Sequence, residues 1–173
     1  QPAEEILAGA QDMIDNGILE NPKVDAAFAI HVMVGTKDSK SGHIYYKAGP
    51  IMASGDAMKV EIIGEEAHGS TPHLGIDAIQ IASKIILEIN GMIGTDMPSG
   101  EGNIALVGKI NGGTAVNTVA NKTILDISLR SQSVESRKKL IKRVEEISKG
   151  IAELHGGKAI VTHEYGMPPL IND

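Results

Sequence analysis

The 173-residue chain is long enough for one domain and part of a second, and an apolar share of 42% fits a globular protein with a buried core. Aromatic residues make up only 2%, so the core must be built from Ile, Val, Leu, Met and Ala, which argues against a base-stacking platform or a membrane aromatic belt. The net charge is −6, cysteine is absent and no apolar run reaches bilayer length, so disulfides and thiolate metal sites are excluded, neither nucleic acid nor a membrane is an expected partner, and the cytoplasm is the expected compartment.

In chain order, Ala3 to Ile14 is predicted as a helix, with Leu7, Ala10, Met13 and Ile14 at helical spacing and Asn16-Gly17 as its stop. "VDAAFAIHV", Val24 to Val32, is predicted as a buried strand, and "HIYYKAG", residues 43–49, as a second. The opening "QPAEEILAG" and the closing "YGMPPLIND" lack the polar, low-complexity character of natural termini, and the chain is expected to be a piece of a longer protein. A domain boundary is expected near Gly49.

From Asp56 the pattern is regular. Met58, Val60 and Ile62 alternate with Ala57, Lys59 and Glu61, which defines a strand with one buried face. The loop "EEAHGSTPHLGID" follows, and then Ile76, Ile79, Ala82, Ile86 and Ile89 mark a helix. "NIALVGKI" and "TILDISLR" are strands on either side of "NGGTAVNT". Ser133 with Ser136 opens a helix striped by Leu140, Ile141, Val144, Ile147, Ile151 and Leu154, Gly156-Gly157 end it, and "KAIVTHEY" is the last strand. The order β-α-β-β-α-β predicts an α+β, ferredoxin-like unit: a four-stranded antiparallel sheet with two helices on one face, and Asp126, Ser128 and Arg130 on the other.

Several residues could carry chemistry, and each has a plainer reading beside the functional one. Glu4 and Glu5 are either solvated carboxylates in a helix's first turn or a pair that divides metal binding and proton transfer. His31 is either a hydrogen-bonded core residue or a group presented at a strand's C-terminal end, where α/β proteins gather catalytic residues. His68 and His73 share one Gly/Pro loop; one imidazole can help form the turn, and one held in place can donate to a developing oxyanion. Asn117 sits in a Gly-rich turn, and Arg130 is either a surface cation or a bidentate carboxylate binder.

Taken in order, "QPAEE", "AFAIHV", "GEEAHGSTPHLGIDAI" and "GKINGGTAVNTVANKTILDISLR" resemble the metal-dependent amidohydrolases and peptidases that include aminoacylases, hippurate hydrolases and indole-acetyl-amino-acid hydrolases. The resemblance runs over nearly the whole chain. It implies a partial catalytic, metal-binding α/β domain in residues 1–49, a lid or dimerisation domain with the ferredoxin-like order in residues 50–166, and the start of a return to the catalytic domain in residues 167–173.

The same resemblance implies Glu4 as general base, Glu5 and His31 as metal ligands, and His68 as the lid histidine that stabilises the tetrahedral intermediate, in related dimers from the partner subunit. It implies Asn117 and Arg130 as substrate-binding residues, with Arg130 on the free carboxylate of an N-acyl amino acid or peptide, whereas His73 is expected to be structural. Two divalent ions, zinc or manganese, are implied for the full-length enzyme. Because the remaining ligands of the family pattern fall outside this chain, the segment alone is expected to be inactive and to hold no metal tightly. A homodimer through the lid is expected. The competing reading is a ferredoxin-like binding or dimerisation module without catalysis.

Overall fold

Strict alternation along Gly55–Ile63 and Lys122–Arg130 places every second side chain on one side of a sheet, and in the computed structural model those two segments are its adjacent central strands. The structure describes residues 9–32 and 39–173. The chain divides into two units, Gln1–Lys47 and Ala48–Asp173, each described here by itself.

The second unit contains strands β1 (Gly49–Met52), β2 (Gly55–Ile63), β3 (Ile104–Gly112), β4 (Lys122–Arg130), β5 (Lys158–Met167) and β6 (Leu170–Asn172), with helices α2 (Ala78–Thr95) and α3 (Val134–Leu154). Four strands form one antiparallel sheet in the order β3-β4-β2-β5. Each β-α-β unit therefore leaves room for a strand of the other between its own pair, which is the predicted ferredoxin-like arrangement. β1 and β6 make a separate antiparallel pair, with Pro50 opposite Ile171.

Met58, Val60 and Ile62 of β2 and Leu125, Ile127 and Leu129 of β4 are buried in one core with Ile81, Ile85, Ile89 and Met92 of α2 and Leu140, Val144 and Ile147 of α3. The buried stripe of α2 differs from the predicted one: Ala78, Ile81, Ala82, Ile85, Ile89 and Met92 face inward, and Ile79 is exposed. An Ile-rich helix carries two apolar stripes of helical spacing, and the exposed Gln80, Lys84 and Glu88 mark which of them faces away from the sheet. Asp77 caps the helix, its carboxylate accepting from the N–H groups of Ile79 and Gln80. For α3, Ser133 caps the helix by accepting from the Ser136 N–H, as predicted, whereas Leu154 at the far end of the expected stripe is exposed.

In the first unit, helix α1 spans Gly9–Asp15 and ends at Asn16 and Gly17, the latter at φ +81°. Part of the predicted helix, residues 3–8, lies outside the described residues. The two strands expected here are corrected by the structure. Residues 24–32 form no strand, and Phe28, Ile30 and Val32 are 97%, 87% and 78% exposed. Residues 43–47 form none either, and only Gly49 of the second expected run belongs to β1. Apolar sequence favours a strand only where a neighbouring strand satisfies its backbone N–H and C=O groups. Among the described residues of this unit no such neighbour is present.

Candidate functional site

The loop after β2 and the loop before β4 meet at one end of the sheet and zip together through their backbones. The Gly69 N–H donates to the Asn117 carbonyl at 2.7 Å and the Val119 N–H to the Ala67 carbonyl at 2.8 Å, with His68 opposite Thr118. A second tie closes the base of the same loop, where Glu65 and Ile76 exchange two bonds of 2.9 Å. Glycine at position 69 is required by this approach, since a Cβ there would lie 2.8 Å from the Asn117 carbonyl oxygen. Position 64 is tighter still, with a Cβ placed 2.0 Å from the Ile76 carbonyl oxygen.

The structure thus brings His68 and Asn117 together. Both are exposed, as a pair of groups offered to a ligand or partner must be. His68 Nδ1 lies 2.8 Å from Ser70 Oγ and accepts from the Ser70 N–H at 3.2 Å. His73 stands apart on a short 3-10 turn, Pro72–Leu74, and is exposed.

Arg130 is at the other end. It is the last residue of β4, exposed and paired with Ile104, beside the Gly55 end of β2. Ile63 pairs with Lys122 at the loop end, so β4 spans the sheet from the His68 side to the Arg130 side. A strand rise of about 3.3 Å per residue puts roughly 25 Å between Lys122 and Arg130. His68 and Asn117 form one cluster, and Arg130 belongs to another.

The Arg130 end is braced by a charge cluster that sequence inspection missed. Asp56, its carboxylate fully buried, accepts from Arg137 Nε at 2.9 Å and Nη2 at 2.8 Å, and its Oδ1 lies 2.9 Å from His163 Nε2. These bonds join β2, α3 and β5. Gly166 leaves room for them, because a Cβ there would sit 1.9 Å from Asp56 Oδ1. The signal was present in the alternation: Asp56 is in phase with Met58, Val60 and Ile62, and a carboxylate on a core-facing phase requires a buried partner.

His31 is exposed, with Nδ1 2.9 Å from the Val32 carbonyl oxygen, to which it can only donate. Glu4 and Glu5 lie outside the described residues. Among the described residues, no three His, Asp or Glu side chains gather in the way a metal ion needs. Of the two implied ligands, Glu5 and His31, only His31 is among the described residues. Among the described residues, no helix is long and apolar enough to cross a membrane.

Comparison with known proteins converges on one class, the hydrolases with a peptidase dimerisation domain: the profile of that domain matches residues 55–155. The N-acetyl-L-cysteine deacetylase of Bacillus subtilis is 35% identical over 173 residues, covering 100% of this chain and 40% of that protein. The hippurate hydrolase of Campylobacter jejuni is 31% identical, covering 100% of this chain and 44% of its own length. Among solved structures, the YXEP protein of Bacillus subtilis, described as a dinuclear metal-binding peptidase of the M20 family, superposes with a TM-score of 0.73 at 28% identity over 100% of this chain and 41% of its own. A Staphylococcus aureus protein described as an aminohydrolase superposes at 0.87 with 25% identity, covering 96% of this chain and 43% of that one. The chain belongs to the M20 peptidase family and carries its dimerisation domain. It spans about two fifths of the length of the relatives it matches.

Proposed function

We propose that this chain is part of a metal-dependent amidohydrolase that cleaves the amide bond of N-acyl amino acids or related small peptides. The lid and dimerisation domain is residues 50–166, between a partial catalytic domain in residues 1–49 and the start of its return in residues 167–173. The enzyme works as a cytoplasmic homodimer, with an edge strand of the lid sheet, β3 or β5, at the two-fold axis. Deacetylase and hippurate hydrolase relatives of the same family support the amide-bond chemistry.

The observation that carries the reading is the separation of His68 and Asn117 from Arg130 by the length of β4. A substrate as small as an N-acyl amino acid cannot touch both ends of one sheet. Two copies solve this if the Arg130 end of one and the His68 end of the other close over the same catalytic domain. Arg130 then holds the substrate's free carboxylate bidentately and Asn117 hydrogen-bonds the scissile amide. The His68 Nε2–H donates to the oxygen that gains negative charge in the tetrahedral intermediate. Glu4 takes the proton from the attacking water and passes it to the leaving amine.

Glu5 and His31 are assigned as ligands in the longer enzyme, where two divalent ions, zinc or manganese, suit carboxylate and imidazole donors. The 173 residues alone are proposed to be inactive, since two ligands do not make a catalytic metal site.

The test compares Arg130→Ala with wild type in the longer enzyme, on an N-acyl amino acid and on the matching amide-capped substrate. The variant is expected to raise KM on the order of 10- to 100-fold for the free carboxylate, the range of a lost charged hydrogen bond, and to leave the capped substrate unaffected. Equal effects on both would contradict the assignment. No turnover of any N-acyl amino acid by the wild-type enzyme would favour a non-catalytic dimerisation module.

A further inference from the structure

The imidazole of His68 is held by its own loop in a way that fixes which nitrogen carries the proton. The Ser70 N–H points at Nδ1 at 3.2 Å, and Ser70 Oγ lies 2.8 Å from the same atom. A backbone N–H can only donate, so Nδ1 must accept. The hydroxyl can serve either way and therefore follows the amide, turning its own hydrogen toward Nδ1. In the neutral ring the proton is then on Nε2, the nitrogen farther from the chain.

This is the i to i+2 contact of an Asx-type turn with an imidazole in place of a carboxamide. The turn is anchored on both sides: Thr71 donates its N–H to the His68 carbonyl at 2.8 Å, and Gly69 is fixed on Asn117. These bonds fix the backbone of His68 and of its donor Ser70 relative to the paired loop.

We infer that Ser70 is a positioning residue for His68: its N–H and hydroxyl hold Nδ1 as an acceptor, so that His68 presents Nε2–H as a ready donor to an incoming oxyanion. The inference rests on the role proposed for His68 above. A donor already oriented needs no reorganisation as negative charge develops, which is where such groups gain their effect. Replacing Ser70 by Asp reverses the arrangement although the N–H of residue 70 remains: a carboxylate beside Nδ1 accepts a charge-assisted bond stronger than the neutral amide bond it displaces, which draws the proton to that nitrogen and leaves Nε2 as a lone pair facing the substrate oxygen.

The first measurement is nitrogen NMR on the 173-residue chain labelled at histidine and backbone nitrogens. Wild type is expected to show an unprotonated Nδ1, a protonated Nε2 and a scalar coupling through the hydrogen bond between the Ser70 amide nitrogen and Nδ1. A protonated Nδ1, or no coupling, overturns the inference without any variant. Ser70→Asp is expected to move the proton to Nδ1, and Ser70→Ala, which likewise keeps the N–H but brings no acceptor, to leave it on Nε2.

In the longer enzyme, Ser70→Asp is expected to lower kcat on the order of 10²-fold with KM little changed, the signature of a lost oxyanion donor, and Ser70→Ala, which loses only the hydroxyl half of the hold, to lower kcat by clearly less. Full turnover in Ser70→Asp with the tautomer reversed overturns the catalytic half of the inference. His68→Ala, assayed beside it, separates the two claims: if it also leaves turnover intact, the reading of His68 itself is at fault.

Discussion

The two ends of the four-stranded sheet are built by different physics. At the His68 end, two loops are joined by backbone hydrogen bonds, and the contact is permitted by a missing side chain at Gly69. At the Arg130 end, a buried carboxylate, a guanidinium and an imidazole tie β2, α3 and β5 together, next to the β1–β6 pair. A backbone zipper sets an exposed residue accurately while burying little. A buried carboxylate held by a guanidinium and an imidazole is stiff, and its removal leaves charge behind without a partner. The difference implies that the loop end can be altered with local consequences, whereas the Arg130 end is coupled to the stability of the whole domain.

The largest effect is expected at Asp56. Asp56→Ala leaves the part-buried Arg137 and His163 without their shared partner and should destabilise the domain by about 3 kcal/mol, read as a lowered midpoint in urea. A loss under about 1 kcal/mol would mean that the cluster is not the brace described. Gly69→Ala is expected to cost less, about 1–3 kcal/mol, because the loops can part locally to relieve the 2.8 Å contact. Its diagnostic is spatial: amide exchange should quicken in residues 65–71 and 115–121 and stay slow in β2 and β4. Faster exchange throughout would erase the contrast between the two ends.

Arg130→Ala should change stability by no more than about 0.5 kcal/mol, since the side chain is exposed and its proposed role is in binding. The smallest effect concerns Asp96, beyond the end of α2. The Thr95 hydroxyl at 2.9 Å, and then Arg143 at 2.7 Å, hold its carboxyl below the ordinary carboxylate range. With the folded value below the unfolded one, its stabilisation is complete above the unfolded carboxylate pKa, about 3.9, and is lost as pH falls through the lowered folded value. Asp96→Asn should therefore flatten the acid side of the stability profile and leave its alkaline side unchanged.

The ferredoxin-like order was legible because β2, β4 and the helices each carry one periodicity, and the fold satisfies all of them at once. Val24 to Val32 was not: its apolar run has the composition of a strand, but composition cannot supply a neighbour to pair with. The α2 stripe was misphased because Ile79 and Ile81 are equally apolar, and it is the exposed Gln80, Lys84 and Glu88 that mark the outer face and leave Ile81, Ile85 and Ile89 inside. Of the candidate residues, His68 and Asn117 were legible as motif members, and their meeting follows from a loop pairing that no local pattern announces. Ser70 was hidden because serine in a Gly/Pro loop is ordinary turn composition. Asp56 could have been found from its phase in β2.

The proposed function has the two ends of one sheet serving active sites in different copies. It is tested most directly by co-expressing two inactive forms of the longer enzyme, Glu4→Gln and His68→Ala, and assaying the purified mixed dimer. If His68 acts across the dimer, the mixed species contains one site with both Glu4 and His68 intact and should recover close to half of the wild-type activity. If His68 serves its own subunit, both sites lack one residue, and a mixed dimer no more active than its parents would contradict the account.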